Sequence, residues 1–310
     1  LEGFATAWKD REEHARIPHA VLLTGPVGVG KRAAARWIAA RLLGVDTASA
    51  LPVYPVERLD HADLHWIAPL EDKQTISIDQ IRQLVHEFAL TSYEGTGKVA
   101  VIEPANAMTH NAANSLLKTL EEPSGSALLI LIADRAGRLP ATIFSRCQRI
   151  DIAPPAEAGS LAWLNQAQPG TDWAEALRLA GNAPLAAIEA LEQLDTHASM
   201  RREFADVASG KRSPILVAGK WAGLDPGFVL DWLARQTHSV ILAQSGGTQT
   251  TVNTGISESV LNRMDRRNLF CYLDRINRLR GQPKGSFNVQ LALESLLIDW
   301  ADHLRQRKAV

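Results

Sequence analysis

The sequence predicts an α/β phosphate-loop domain, followed by a small helical domain and then an all-helical C-terminal domain. Three observations predict it. The stretch "LLTGPVGVGK" (22–31) places a Gly-x4-Gly-Lys turn between an apolar run and a helical pattern. Short apolar runs alternate with helical patterns up to "QRIDI" (148–152), as in a parallel sheet covered by helices on both faces. Beyond the Pro- and Gly-punctuated "APPAEAG" (153–159) only helical patterns are convincing. The boundaries fall at 1–154, 155–196 and 197–310.

Each element has a local reason. "AVLLT" (20–24) is a short buried-strand run, and in "KRAAARWIAARLLG" Ala34, Ile38, Leu42 and Leu43 recur at helical spacing, with Gly44 as a natural C-cap. Ser77 and Gln80 form a capping box for a second helix, whose stripe is Ile78, Ile81, Leu84, Val85 and Phe88. "KVAVIE" (98–103) is β-branched, apolar and unalternating, as strands buried on both faces are. "NAANSLLKTLEEP" puts Ala113, Leu116, Leu117 and Leu120 on one helical face, and Pro123 ends it. "ALLILIA" (127–133) is a further buried strand. In the remainder, "TDWAEALRLAGNAPLAAIEALEQL" reads as two short helices around Gly181-Asn182. "SMRREFADVAS" opens a longer helical set, the Ser/Thr/Gly-rich 244–259 is an inter-helix loop, and "NVQLALESLLIDWADHL" closes the chain as an amphipathic helix.

Composition excludes several classes. With 46% hydrophobic and 22% charged residues and a formal net charge of -1, no global field draws the chain to nucleic acid or anionic membrane. DNA contact then needs a local patch or a partner. Cys147 and Cys271 are the only cysteines and lack metal-ligand spacing, which fits a reducing compartment. No apolar run approaches membrane-spanning length and the first residues are no signal peptide, so the expected location is the cytoplasm.

The chemistry starts at the loop. Glycines let backbone N–H groups turn inward around phosphates, and the Lys neutralises their charge beside a helix N-terminus. Gly25, Gly28, Gly30 and Lys31 meet these needs. Gly-x4-Gly-Lys arises by chance in roughly one chain in ten of this length, so the strand–loop–helix context decides for a true ancestral phosphate loop. The next position should carry the hydroxyl that holds Mg²⁺. It is Arg32, which cannot do so, although a guanidinium can itself touch phosphate. The strand-end Asp-Glu that would hold metal and activate water is Glu103-Pro104, and Pro104 cannot act as a base. Whether the degenerate loop holds ATP or ADP without turnover stays open at this stage. In "LPATIFSRCQRI", Ser145-Arg146-Cys147 follows a helical turn and precedes a strand. Taken alone, Arg146 reads as a surface ion-pair residue and Cys147 as a small buried apolar one.

Together, "IPHAVLLTGPVGVGK", "NSLLKTLEEP", "LPATIFSRCQRI" and the final "NVQLALESLLIDW" resemble the bacterial clamp-loader family over nearly the whole chain. The resemblance implies an AAA+ fold: a RecA-like α/β domain, a helical lid, and a helical collar that builds a five-membered ring. It implies membership of the DNA polymerase III holoenzyme, with gamma or tau ATPase subunits and a delta subunit as ring partners. Sliding clamp and primed DNA are reached through the complex. In the family's active ATPase members the loop ends Lys-Thr/Ser, the strand ends Asp-Glu and the lid carries a nucleotide-sensing Arg. Here those positions are Arg32, Glu103-Pro104 and, in "GNAPLAA", Pro184. The three departures imply a subunit that requires no cofactor and does not hydrolyse ATP itself. The Arg of the "SRC" motif, Arg146, is intact. The family implies that it is offered in trans, as an arginine finger, to ATP on a neighbouring subunit.

Two further features complete the expectations. Many relatives carry a four-Cys zinc module after the loop helix. The matching stretch here has no Cys, so no zinc is expected, and His61 and His65 read as a solvated i, i+4 pair. Arg263, Arg266, Arg267, Arg275, Arg278 and Arg280 form a basic stripe, which reads either as a DNA-facing or subunit-facing surface or, preferred here, as a solvated helical face interleaved with Asp265 and Asp274 plus collar contacts. The competing readings are a self-sufficient P-loop ATPase and a free-standing DNA-binding protein.

Overall fold

A computed structural model describes the chain from residue 2 to residue 304, except 15–16, 46–53, 58, 94, 96, 123–126, 135–138, 245–255, 257, 283–284 and 303. Pro123 and most of the 244–259 loop lie outside the described residues. The chain divides into two compact units, Leu1–Glu192 and Gln193–Val310.

The first unit is built on five parallel strands: β1 (Ala20–Thr24), β2 (Leu64–Ile67), β3 (Lys98–Ile102), β4 (Ala127–Ala133) and β5 (Gln148–Asp151). Their order is β2-β3-β4-β1-β5, and every neighbouring pair is parallel. β1, β3 and β4 are buried along their whole length, which is why they read as unbroken apolar runs rather than as alternation.

Alternate side chains of these strands face opposite ways. Ala20, Leu22, Ala100, Ile102, Leu129 and Leu131 form one core with α3 (Ile78–Ala89) and α4 (His110–Glu121), through Ile81, Leu84, Phe88, Leu116 and Leu120. Val21, Leu23, Val99, Val101, Leu128 and Ile130 form the other with Trp8 of α1 (Glu2–Glu13) and with Ala34, Trp37 and Ile38 of α2 (Lys31–Leu42). The capping box at Ser77 and Gln80 forms at the start of α3, and the Thr109 side chain caps α4. β2 is an addition to the sequence expectation. Its four residues are all half-buried at a sheet edge.

The single turn α5 (Ala141–Phe144) leads into β5. The same unit continues with α6 (Glu157–Ala167), α7 (Ala174–Leu179) and α8 (Pro184–Glu192). Gly181 and Asn182 take left-handed backbone angles between α7 and α8, which Gly and Asn tolerate best.

The second unit is helical throughout its described residues: α9 (Leu194–Ala208), α10 (Pro214–Trp221), α11 (Pro226–Gln244), α12 (Glu258–Leu261), α13 (Arg266–Arg280) and α14 (Val289–Ala301). Its core is an aromatic stack in which Phe204 lies 4.1 Å from Trp300, flanked by Trp221, Trp232 and Tyr272. No helix among the described residues is long and apolar enough to cross a membrane.

Candidate functional site: a phosphate loop and an arginine at strand ends

In a parallel sheet, ligands sit beyond the carboxyl ends of the strands, where the strand order reverses. β1 lies between β4 and β5, and the loop that follows it, 25–30, occupies that place. Gly25 has φ 141 and Gly28 φ 83. A side chain at Gly25 would put its Cβ 2.2 Å from the Ile152 carbonyl oxygen. One at Gly28 would sit 2.4 Å from the Ala186 nitrogen. Both positions therefore require glycine for space as well as for backbone angle. Gly30 is the N-cap of α2, in the left-handed region, and Lys31 opens the helix.

The charged groups of the loop are engaged within the chain. The Lys31 ammonium, 5% exposed, lies 2.7 Å from the Asp134 carboxylate just after β4. It also donates to the carbonyls of Gly25 at 2.8 Å and Pro26 at 2.6 Å. Arg32 donates from Nε to Glu103 Oε2 at 2.8 Å, and Trp66 Nε1 donates to the same oxygen at 3.2 Å. Glu103 follows β3, so this ion pair spans the gap between the start of α2 and the end of that strand. Where the motif expects a hydroxyl and an acid to share a cation, a guanidinium is held on the acid directly.

The helical end of the same unit reaches the loop as well. The Leu185 backbone N–H donates to the Gly28 carbonyl at 3.0 Å, and Ala186 packs against Gly28. Pro184 is the first residue of α8 and has no N–H to offer.

Arg146 lies elsewhere on the unit, after α5. Its guanidinium meets Glu121, the last residue of α4, through Nε at 2.7 Å and Nη2 at 2.5 Å on one carboxylate oxygen. Nη1 donates to the Thr142 carbonyl at 3.0 Å and to Ser145 Oγ at 3.3 Å. The side chain stays 34% exposed. Cys147 packs at the margin of the α3/α4 core, and burial pushes its thiol up to about 11. It is a packing residue with no thiolate chemistry near neutral pH.

The expected solvated pair at His61 and His65 is corrected by the structure. His65 is on β2, four-fifths buried, with Nδ1 at 3.0 Å from Glu87 and its ring against Phe88. His61 Nδ1 accepts the Asp63 backbone N–H in the preceding turn. A helical spacing in sequence becomes two unrelated environments because the segment turns into a strand. Among the described residues no group of three or more His, Cys, Asp or Glu is placed to hold a metal ion.

Part of the basic stripe is bound up within the second unit. Arg275 pairs with Asp299, Arg280 pairs with Asp231, and Arg266 donates to the Gln244 carbonyl at 2.7 Å.

Sequence reasoning missed Asp134, Trp66, Glu121 and the α8 contact with Gly28. Each is a partner brought in by strand order or helix packing; Glu121 lies within "NSLLKTLEEP", but nothing local there points to Arg146.

These features bear comparison with known proteins. A family described as "DNA polymerase III, delta subunit" matches residues 2–156. The DNA polymerase III subunit delta' of Pseudomonas aeruginosa is 32% identical over 318 aligned residues, spanning 95% of this chain and 95% of that protein. The chain belongs to the DNA polymerase III delta-prime family. The delta-prime subunit of Bacillus subtilis is 38% identical over 147 residues, covering 46% of this chain and 44% of its own. The crystal structure of a DNA polymerase III gamma subunit-related protein from Thermotoga maritima aligns with a TM-score of 0.50 at 19% identity, covering 93% of this chain and 95% of that one. The fold is thus the AAA+ P-loop type that the loop and the sheet announce.

Proposed function

We propose that this chain is the non-hydrolysing subunit of the DNA polymerase III clamp loader and that it presents Arg146 to ATP on a neighbouring subunit. A clamp-loader role follows from the family; the inert loop and the finger are the finer reading. The observation that carries it is the Arg32–Glu103 ion pair at 2.8 Å. It joins the two positions that an ATPase of this fold uses to hold the metal, and the next residue, Pro104, stands where the water-activating acid would be and has no basic group. Lys31 is spent on Asp134 and on the loop's own carbonyls, which supports a loop that holds shape rather than nucleotide. No cofactor is then needed by the chain itself.

Arg146 keeps a partly exposed guanidinium after a short turn and before a strand. Such a group can stabilise charge on a phosphoryl group in transfer, an effect worth roughly 10³ to 10⁵ in rate. The gamma or tau subunits are the ATPases it would serve, with delta completing a five-membered ring that acts on the sliding clamp and primed DNA. The helical unit Gln193–Val310 is the natural ring-forming part, and the cytoplasm is the expected location.

Phosphate release by the isolated chain, with ATP and Mg²⁺, tests the inert half of this reading. No turnover is expected. Mg²⁺-dependent turnover would establish the self-sufficient ATPase instead.

A further inference from the structure

We infer that Glu121 is a positioning residue for Arg146, holding the finger's guanidinium ready for a neighbour's phosphate. The inference rests on the arginine-finger reading above. Arginine has five N–H donors in a planar fork. Glu121 Oε1 takes Nε–H and one Nη2–H, the inner edge of that fork. Thr142 O takes one Nη1–H at 3.0 Å, and the remaining Nη1–H makes only the 3.3 Å contact with Ser145 Oγ. The second Nη2–H has no partner among the described residues, and the long Ser145 contact holds Nη1 only weakly, so the Nη1/Nη2 end of the fork is the part left to a phosphoryl oxygen.

Glu121 suits this task for a second reason. It is the last residue of α4, where the helix dipole disfavours a carboxylate and favours a cation. An arginine drawn onto Glu121 answers both the side chain and the helix end. A free arginine samples many rotamers, whereas one held by Glu121 and Thr142 O presents a single geometry, and misplacement of a catalytic charge is costly. The Glu121 side chain is itself half exposed, so its replacement does not open the core.

The test uses the assembled clamp loader with Arg146→Ala, Glu121→Ala, Glu121→Gln and the double variant Glu121→Ala/Arg146→Ala. ATP hydrolysis is measured with clamp and primed DNA. Glu121→Ala should lower the maximal rate about five-fold, the equivalent of an exposed ion pair, with KM for ATP unchanged. Glu121→Gln keeps an acceptor oxygen and should restore most of that loss. Glu121→Ala should cost nothing further once Arg146 is Ala. If Arg146→Ala slows hydrolysis while Glu121→Ala does not, the positioning role is overturned and the finger stands. A faster Glu121→Ala complex would make Glu121 a competitor for the finger and equally overturn the proposal. Normal hydrolysis with Arg146→Ala would remove both readings.

Discussion

Replacing Lys31 with alanine separates a structural loop from a nucleotide-binding one. In a working loop the lysine meets phosphate, so its loss abolishes binding and leaves the fold alone. Here the ammonium is buried and makes three contacts inside the chain. Loss of the ion pair with Asp134, which is 37% exposed, is partly screened and counts for about 1 kcal/mol. The carbonyls of Gly25 and Pro26 lose a charged donor, at about 1.5–3 kcal/mol each. Against this, alanine is spared roughly 2 kcal/mol of side-chain ordering. The balance is a loss of about 2–5 kcal/mol in urea unfolding of the full chain followed by tryptophan fluorescence. The same titration with millimolar ATP or ADP should leave the wild-type midpoint where it was. A ligand at a hundred times its Kd would add about 2.7 kcal/mol. A Lys31→Ala chain within about 0.5 kcal/mol of wild type, the range of an ordinary surface change, together with a wild type stabilised by nucleotide, would refute the structural role.

Gly28→Ala should destabilise the first unit by about 3 kcal/mol, because it combines a φ of 83 with a Cβ 2.4 Å from the Ala186 nitrogen and strains the Leu185–Gly28 hydrogen bond. Thermal unfolding and faster proteolysis around 184–192 read this out, and an unchanged Tm would mean that α8 does not rest on the loop. In the second unit, burial works to raise the Glu203 carboxyl, but hydrogen bonds from Lys220 and Trp221 and the charges of Lys220 and Arg212 outweigh it and hold it below its ordinary 4.5. A carboxylate lowered in the native state stabilises above the unfolded value and loses that contribution as pH falls through the native one. Glu203→Gln should therefore cost about 1–3 kcal/mol at pH 7. The gap to wild type should narrow below pH 4.5, and denaturant midpoints showing a constant gap would contradict the assignment.

The legible parts of the fold were those whose signal is local. β1, β3 and β4 are buried on both faces, and their apolar runs say so without help from the rest of the chain. Ser77 and Gln80 sit three residues apart, and their capping box depends on nothing distant. β2 was not legible, because Leu64, His65, Trp66 and Ile67 are all half-buried at an edge and show neither alternation nor a full apolar run. The glycines and Lys31 announced the loop, while the use of Lys31 could not be read. Asp134 approaches it only because β4 lies beside β1 in the sheet order. Arg32 looked like a missing hydroxyl. Its pairing with Glu103, 71 residues away, gives that letter a positive role. Arg146 stands out by its motif and resemblance, whereas its partner Glu121, 25 residues earlier, meets it only once α4 and α5 pack together.

The most direct test of the account is ATP hydrolysis by the reconstituted clamp loader carrying Arg146→Ala in this chain alone, with clamp and primed DNA present. Assembly is checked by gel filtration. The complex should assemble normally while its stimulated hydrolysis falls sharply, by an amount approaching the 10³-fold worth of an arginine finger at the one site served. Stimulated hydrolysis equal to wild type in a fully assembled Arg146→Ala complex would contradict the arginine-finger reading.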